Sequence, residues 1–98
     1  MIKVVNLYKD KYDVYIGRGT EGKVPINIGT KGWLGNPFDV ETYGDQAIPK
    51  FKEYFYNRIA TDEAFKNAVL ALKGKTLGCF CKPKPCHGDI IMEYLESQ

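Results

Sequence analysis

The spacing of apolar and polar positions changes along this chain, and each change marks an element. "IKVVNLY" at 2–8 is rich in β-branched and aromatic residues and predicts a strand. After a turn-like "KDK", "YDVYIG" at 12–17 sets Val14 and Ile16 against Asp13 and Tyr15 in alternation, which predicts a second strand. Between 17 and 44 the periodicity fails. Most of the glycines fall there, with Pro25 and Pro37, so a long structured loop is predicted, with a short strand at "VPINIG" (24–29) inside it. Helical spacing begins in "GDQAIPKFKEYFYNRIA". Asp45 is the expected N-cap, Pro49 falls in the first turn, and Ile48, Phe51, Phe55 and Ile59 share one face. A second helix is predicted over 62–73, capped by Thr61 or Asp62, buried through Phe65, Val69 and Leu72, and stopped at Gly74. "KTLGCFC" (75–81) reads as a buried strand. After "KPKP", the segment "CHGDIIMEYLESQ" predicts a last helix with Ile90, Ile91, Tyr94 and Leu95 facing inward.

The predicted order, β-β-loop-α-α-β-α, implies an α/β fold. It is a small compact sandwich in which about three helices cover a short sheet. Ninety-eight residues suit one domain spanning 1–98. The net charge of +2 is too small for general nucleic-acid binding, which needs a concentrated basic face. No apolar run approaches membrane-spanning length. Three clustered cysteines and no secretory signal pattern point to a reducing cytoplasm, that of a host cell if the gene is viral. The aromatic content of 13% can fill a core, line a pocket or support a homo-oligomer.

Candidate chemistry gathers in "LGCFCKPKPCHGDII" (77–91), which holds every cysteine and the single histidine. Cys79 and Cys81, two apart on a strand, point the same way, and Phe80 points to the other face. Cys86 and His87 open the last helix, where first-turn N–H groups can receive an anion and favour a thiolate. A zinc reading would use Cys79, Cys81, Cys86 and His87. Those ligand types are right, but the C-x-C-x4-C-H spacing departs from structural zinc motifs, and no metal is assigned. A second reading makes a cysteine a nucleophile with His87 as base. A third makes Cys79 a packing residue, His87 a polar cap and Asp89 a favourable first-turn charge. The constellation at a strand-to-helix crossover favours a pocket, with Cys81, Cys86 and Gly88 on its wall. His87 and Asp89 would then serve acid–base or orienting roles.

Two loop segments add to it. "YIGRG" places Arg18 and Gly19 where backbone can approach a ligand closely, and arginine's planar fork suits phosphate. In "GWLGNPF", Asn36 precedes proline and is pushed to extended backbone, which frees its amide for hydrogen bonding. Trp33 and Phe38 are candidates to stack on a base, with core packing as the rival role for each.

Together "VVN", "VYIGRG", "GNPF" and "LKGKTLGCFCKPKPCHGDII" resemble the domain of unknown function 4326 family (DUF4326), whose members are small proteins of phages, bacteria and some eukaryotes. Phe80 stands where tryptophan is typical of that family, and "TEGKVPINIGTKG" lengthens the loop between the first two motifs. The resemblance implies that Arg18, Asn36, Cys81, Cys86, His87 and Asp89 belong to one site, and by analogy that the sheet is Rossmann-like. The expected partner is a nucleotide-derived small molecule, such as an NAD derivative or a cyclic nucleotide signal. The expected function is its binding, with hydrolysis of a glycosidic or phosphodiester bond if the domain is an enzyme. Two alternatives remain: a non-catalytic phage protein that sequesters a host immune nucleotide, and a zinc-stabilised interaction module.

Overall fold

A computed structural model describes residues 3–80 and 86–98. Three parallel strands form the sheet: β1 (Lys3–Asn6), β2 (Val14–Tyr15) and β3 (Thr76–Cys79), in the order β1-β3-β2. The last strand in the chain is therefore the central one. Lys3 pairs with Thr76 and Asn6 with Cys79 on one side, while Val14 pairs with Leu77 and Tyr15 with Gly78 on the other. Backbone bonds from Leu7 to Cys79, Asp13 to Thr76 and Ile16 to Gly78 lengthen both ladders. The Asp13 carboxylate also accepts the Thr76 N–H at 2.8 Å.

Parallel neighbours usually need a crossover of a dozen or more residues, commonly a helix. Here residues 7–13 alone carry the chain from β1 to β2, across the face of β3. Tyr12 lies directly on Gly78, where a Cβ would stand 2.6 Å from the tyrosine ring. Glycine at the centre of this strand is a space requirement.

The other face of the sheet carries the helices. A single turn, α1 (Val40–Tyr43), precedes α2 (Ala47–Thr61), α3 (Glu63–Leu70) and α4 (Gly88–Glu96). Phe51 and Phe55 of α2, Phe65 and Val69 of α3, and Ile91 and Leu95 of α4 meet Ile16, Leu77 and Cys79 in one buried cluster. Each such side chain contributes about 1.5–3 kcal/mol by leaving water. Edge-on and stacked ring pairs tie it together: Phe51–Phe55 at 5.6 Å, Phe55–Phe65 at 5.8 Å and Phe55–Tyr94 at 5.8 Å. Asp62 ends α2 in extended backbone and caps α3 by accepting the Phe65 N–H at 3.1 Å, and the chain leaves this region through Gly74 at φ +81°.

Four expectations change. The single turn α1 was not foreseen. Asp45 does not cap α2: it lies in a 3-10 turn (Gly44–Gln46), and Gln46 occupies the cap position without a side-chain bond. "VPINIG" forms no strand. Ile26 is 81% exposed, and Arg58 Nη2 holds its carbonyl at 3.1 Å. β3 ends at Cys79, while Cys81 and the "KPKP" turn lie outside the described residues.

Candidate functional site

The loop from 17 to 39 folds back on itself before reaching the helices. Backbone crosses backbone where Gly32, at φ +95°, passes over Gly19, and a Cβ at either glycine would overlap the other segment. Gly35 also packs closely on Arg18, its Cβ position lying 3.0 Å from the Arg18 Cα. The glycines of "GRG" and "GWLG" are thus used to bring Arg18 beside Asn36. The Asn36 side chain then braces the turn: its Oδ1 accepts the Phe38 N–H at 2.8 Å, and its Nδ2 donates to the Ala47 carbonyl at 3.2 Å. Its carbonyl accepts Arg18 Nε at 2.7 Å. Asn36 therefore acts on Arg18, fixing the plane of the guanidinium. Among the described residues the two terminal guanidinium nitrogens have no hydrogen-bond or ion-pair partner.

Arg18 faces a cleft of about 630 Å³ beyond the carboxyl end of β3. Its wall includes Arg18, Asn36 and Phe38 from the loop, and Asp39, Glu41 and Thr42 at the start of α1. Cys79 and Phe80 join it from β3, and Cys86 and His87 from the start of α4. Arg18, Asn36, Phe38, Cys86 and His87 are thus brought together. Asp39, Glu41, Thr42 and Phe80 were not foreseen. The available signal was "DVET", an acidic N-cap three residues before threonine. Asp39 Oδ1 accepts the Thr42 N–H at 2.6 Å. Hydrogen bonds from Thr42 lower the Asp39 pKa, and the nearby Arg18 charge adds to that, so the carboxylate stays ionised.

Other predicted residues lie elsewhere. Trp33 is outside the cleft wall, edge-on to Phe65 at 5.8 Å against the core. Gly19 lies in the backbone crossing. Gly88 starts α4 against the sheet, where a Cβ would stand 2.6 Å from Ile16 and 2.9 Å from Val4. Asp89 Oδ2 accepts the Cys86 N–H at 3.2 Å, so its carboxylate takes one of the amide groups that an anion was expected to use. Cys81 lies outside the described residues.

His87 is buried in the cleft floor. Its Nε2 lies 2.6 Å from the Ile16 carbonyl; a carbonyl can only accept, so Nε2 carries the proton. The ring sits edge-on to Phe51 at 5.1 Å. Burial lowers its pKa, and this outweighs the Ile16 and Leu34 carbonyls, which favour the charged ring. The imidazole is neutral and ties α4 to the end of β2.

Cys79 and Cys86 are buried, with their sulfurs 3.2 Å apart. This hydrogen bond, then burial, pushes the Cys86 thiol well above its ordinary range. The expected bias toward thiolate at the helix start is overturned: an apolar surround and a thiol partner outweigh the helix end. The described members of the zinc set also fit poorly. Two thiolates on tetrahedral zinc stand about 3.8 Å apart, from Zn–S bonds of about 2.3 Å. These sulfurs are closer, and the imidazole Nε2 is turned to a carbonyl. No group of three or more His, Cys, Asp or Glu among the described residues could hold a metal ion.

Among the described residues, no helix is long and apolar enough to cross a membrane. No solved structure matches the chain. A relative from Enterobacteria phage T4, "Uncharacterized 12.4 kDa protein in nrdA-td intergenic region", is 41% identical over 92 residues, covering 93% of this chain and 74% of the relative. The family model described as "Domain of unknown function (DUF4326)" matches residues 3–97, from the first residue of β1 to the residue after α4. The chain belongs to the DUF4326 family.

Proposed function

We propose that this domain binds a nucleotide-derived small molecule in the cleft. The observation that carries this reading is the pairing of opposite charges around an aromatic ring. Arg18 presents a terminal guanidinium edge with no hydrogen-bond or ion-pair partner among the described residues, braced through Nε by Asn36. Asp39, held ionised, lines the same cleft together with Glu41, and Phe38 stands between the loop and α1. A bare anion is poorly served by a wall with two carboxylates. A nucleotide uses all three features: guanidinium for phosphate, carboxylate for ribose hydroxyls and a ring for the base.

The geometry supports binding ahead of cleavage. The His87 Nε2 proton is held by a backbone carbonyl, and the Asp89 carboxylate is held by the Cys86 N–H. A general-acid role for His87 through Nε2 would require its bond to the Ile16 carbonyl to open. A second form of the same reading is a protein that acts in the host cytoplasm and sequesters a host nucleotide without altering it; what supports it is only that one relative is a phage protein.

Calorimetry with AMP, ADP-ribose, NAD and cyclic dinucleotides, followed by chromatography of the recovered ligand, tests the proposal. The expected result is binding by at least one of these, weakened tenfold or more in Arg18→Ala, about the worth of a charge-assisted hydrogen bond. Ligand recovered intact indicates a binder, and conversion indicates a hydrolase. No heat from any of them would sink the proposal.

A further inference from the structure

The outer face of the sheet carries an aromatic surface that the core does not use. Phe80 is 51% exposed and Tyr8 78%, with their rings 5.7 Å apart and tilted by 50°. Tyr15 meets Phe80 edge-on at 5.9 Å, and Tyr12 covers Gly78 beside them. A half-exposed phenylalanine has no polar tip to justify its contact with water. Contiguous exposed rings of this kind mark binding surfaces more often than chance.

This shelf is continuous with the cleft. Phe80 belongs to both, since it also lines the cleft wall. Tyr15 joins them a second time: its ring touches Phe80, and its hydroxyl donates to the Arg18 carbonyl at 2.7 Å. The path from the terminal guanidinium edge to the shelf therefore runs through one tyrosine. Lysines surround the rings, with Lys31 Nζ 5.7 Å above Tyr15 and Lys9 and Lys11 in the same surface hollow as Tyr8 and Tyr12.

We infer that the ligand of this domain is a dinucleotide, whose linking phosphate meets Arg18, with one base in the cleft against Phe38 and the second on the Phe80–Tyr8 shelf. The inference rests on the nucleotide reading of the cleft and extends it to a second heterocycle. A long single strand fits less well. Asp10 interrupts the lysines, Asp39 and Glu41 face the cleft, and an extended run of phosphates would meet those charges. A small molecule with its phosphate confined to the linker avoids them.

The test compares the dinucleotide ApA, its half AMP and a ten-residue oligoadenylate, by calorimetry on the full chain. ApA is expected to bind about tenfold or more tightly than AMP, the size of one base–aromatic stack. Tyr8→Ala, which lies outside the cleft wall, should remove that gain and leave AMP affinity unchanged, and Phe80→Ala should remove the gain as well. Both side chains are exposed, so the variants should keep the wild-type circular dichroism spectrum. Arg18→Ala should weaken both ligands. Equal affinity for ApA and AMP, or a gain that survives both aromatic variants, overturns the two-base assignment while AMP binding upholds the cleft. Oligoadenylate binding tighter than ApA overturns it in favour of a strand. Failure of all three ligands to bind overturns this extension, and the nucleotide reading falls with it only if ADP-ribose, NAD and the cyclic dinucleotides also give no heat.

Discussion

The two faces of β3 make opposite use of neighbouring residues. Leu77 and Cys79 point toward the helices and are sealed beneath Phe51, Phe55 and Ile91. Gly78 and Phe80 point the other way, one pressed under Tyr12 and the other half in water. The strand thus carries the packing of the domain on Leu77 and Cys79, while Gly78 and the residue after the strand, Phe80, face the open aromatic surface built mainly by tyrosines of neighbouring segments. The difference separates what holds the fold from what is left free to meet a ligand. On the helix face every ring is satisfied by other rings. On the outer face the rings touch one another and still present area to solvent.

Substitutions on the two faces should therefore differ in size, and in kind. Phe55→Ala removes the ring that contacts Phe51, Phe65 and Tyr94, and should cost about 3–5 kcal/mol in urea unfolding. A cost near zero would mean that the core is not centred on α2. Gly78→Ala forces a methyl into Tyr12 and should cost about 1–3 kcal/mol. Adding Tyr12→Ala should recover part of that loss, so the double variant should be more stable than the sum of the singles predicts. Additive losses would place the problem in the backbone of β3 and not in the overlying ring.

The cleft floor between the two faces gives a pH signature. His87 is the only histidine, and its pKa lies below the ordinary value of 6.5 because the ring is buried. As pH falls below 6.5 the unfolded chain takes up a proton that the native state refuses. Stability should therefore decline on acidification, by at most about 1.4 kcal/mol per pH unit until the folded pKa is reached. Carboxylates titrate at lower pH, so His87→Gln should flatten the curve between pH 5 and 6.5, whatever its absolute stability. A slope unchanged in that variant would contradict the buried neutral ring. The smallest effect belongs to the outer face. Phe80→Ala and Tyr8→Ala should shift stability by no more than about 0.5 kcal/mol, because neither ring supports the core. A large loss from either would make the shelf structural and remove the reason to call it a surface for a ligand.

Much of the helical half was legible before any coordinates. Phe51 and Phe55, Phe65 and Val69, and Ile90, Ile91, Tyr94 and Leu95 repeat at helical spacing, and all are buried. Asp62 caps α3, a local property, while the helix ends at Leu70, short of the predicted 73, and Gly74 takes its positive φ in the turn beyond. The loop half was legible only as a loop. Asp45 looked like a cap because its neighbours read as a helix start, but the preceding turn at α1 displaced that start to Ala47. Trp33 and Phe38 looked alike in sequence, yet one packs on Phe65 and the other lines the cleft. Nothing in their immediate neighbours separates them.

Periodicity, capping residues and glycine punctuation determined by themselves that this chain is an α/β domain with three helices over a short sheet. Those signals act over a few residues, and a sequence displays them directly. Tertiary structure alone decided that β3 is central, that Asn36 braces Arg18, that Asp39 and Glu41 share its cleft, and that the Cys86 thiol is held protonated. Each depends on groups far apart in the chain that meet in space, where burial and a neighbour's hydrogen bond outweigh the residue's own local tendency.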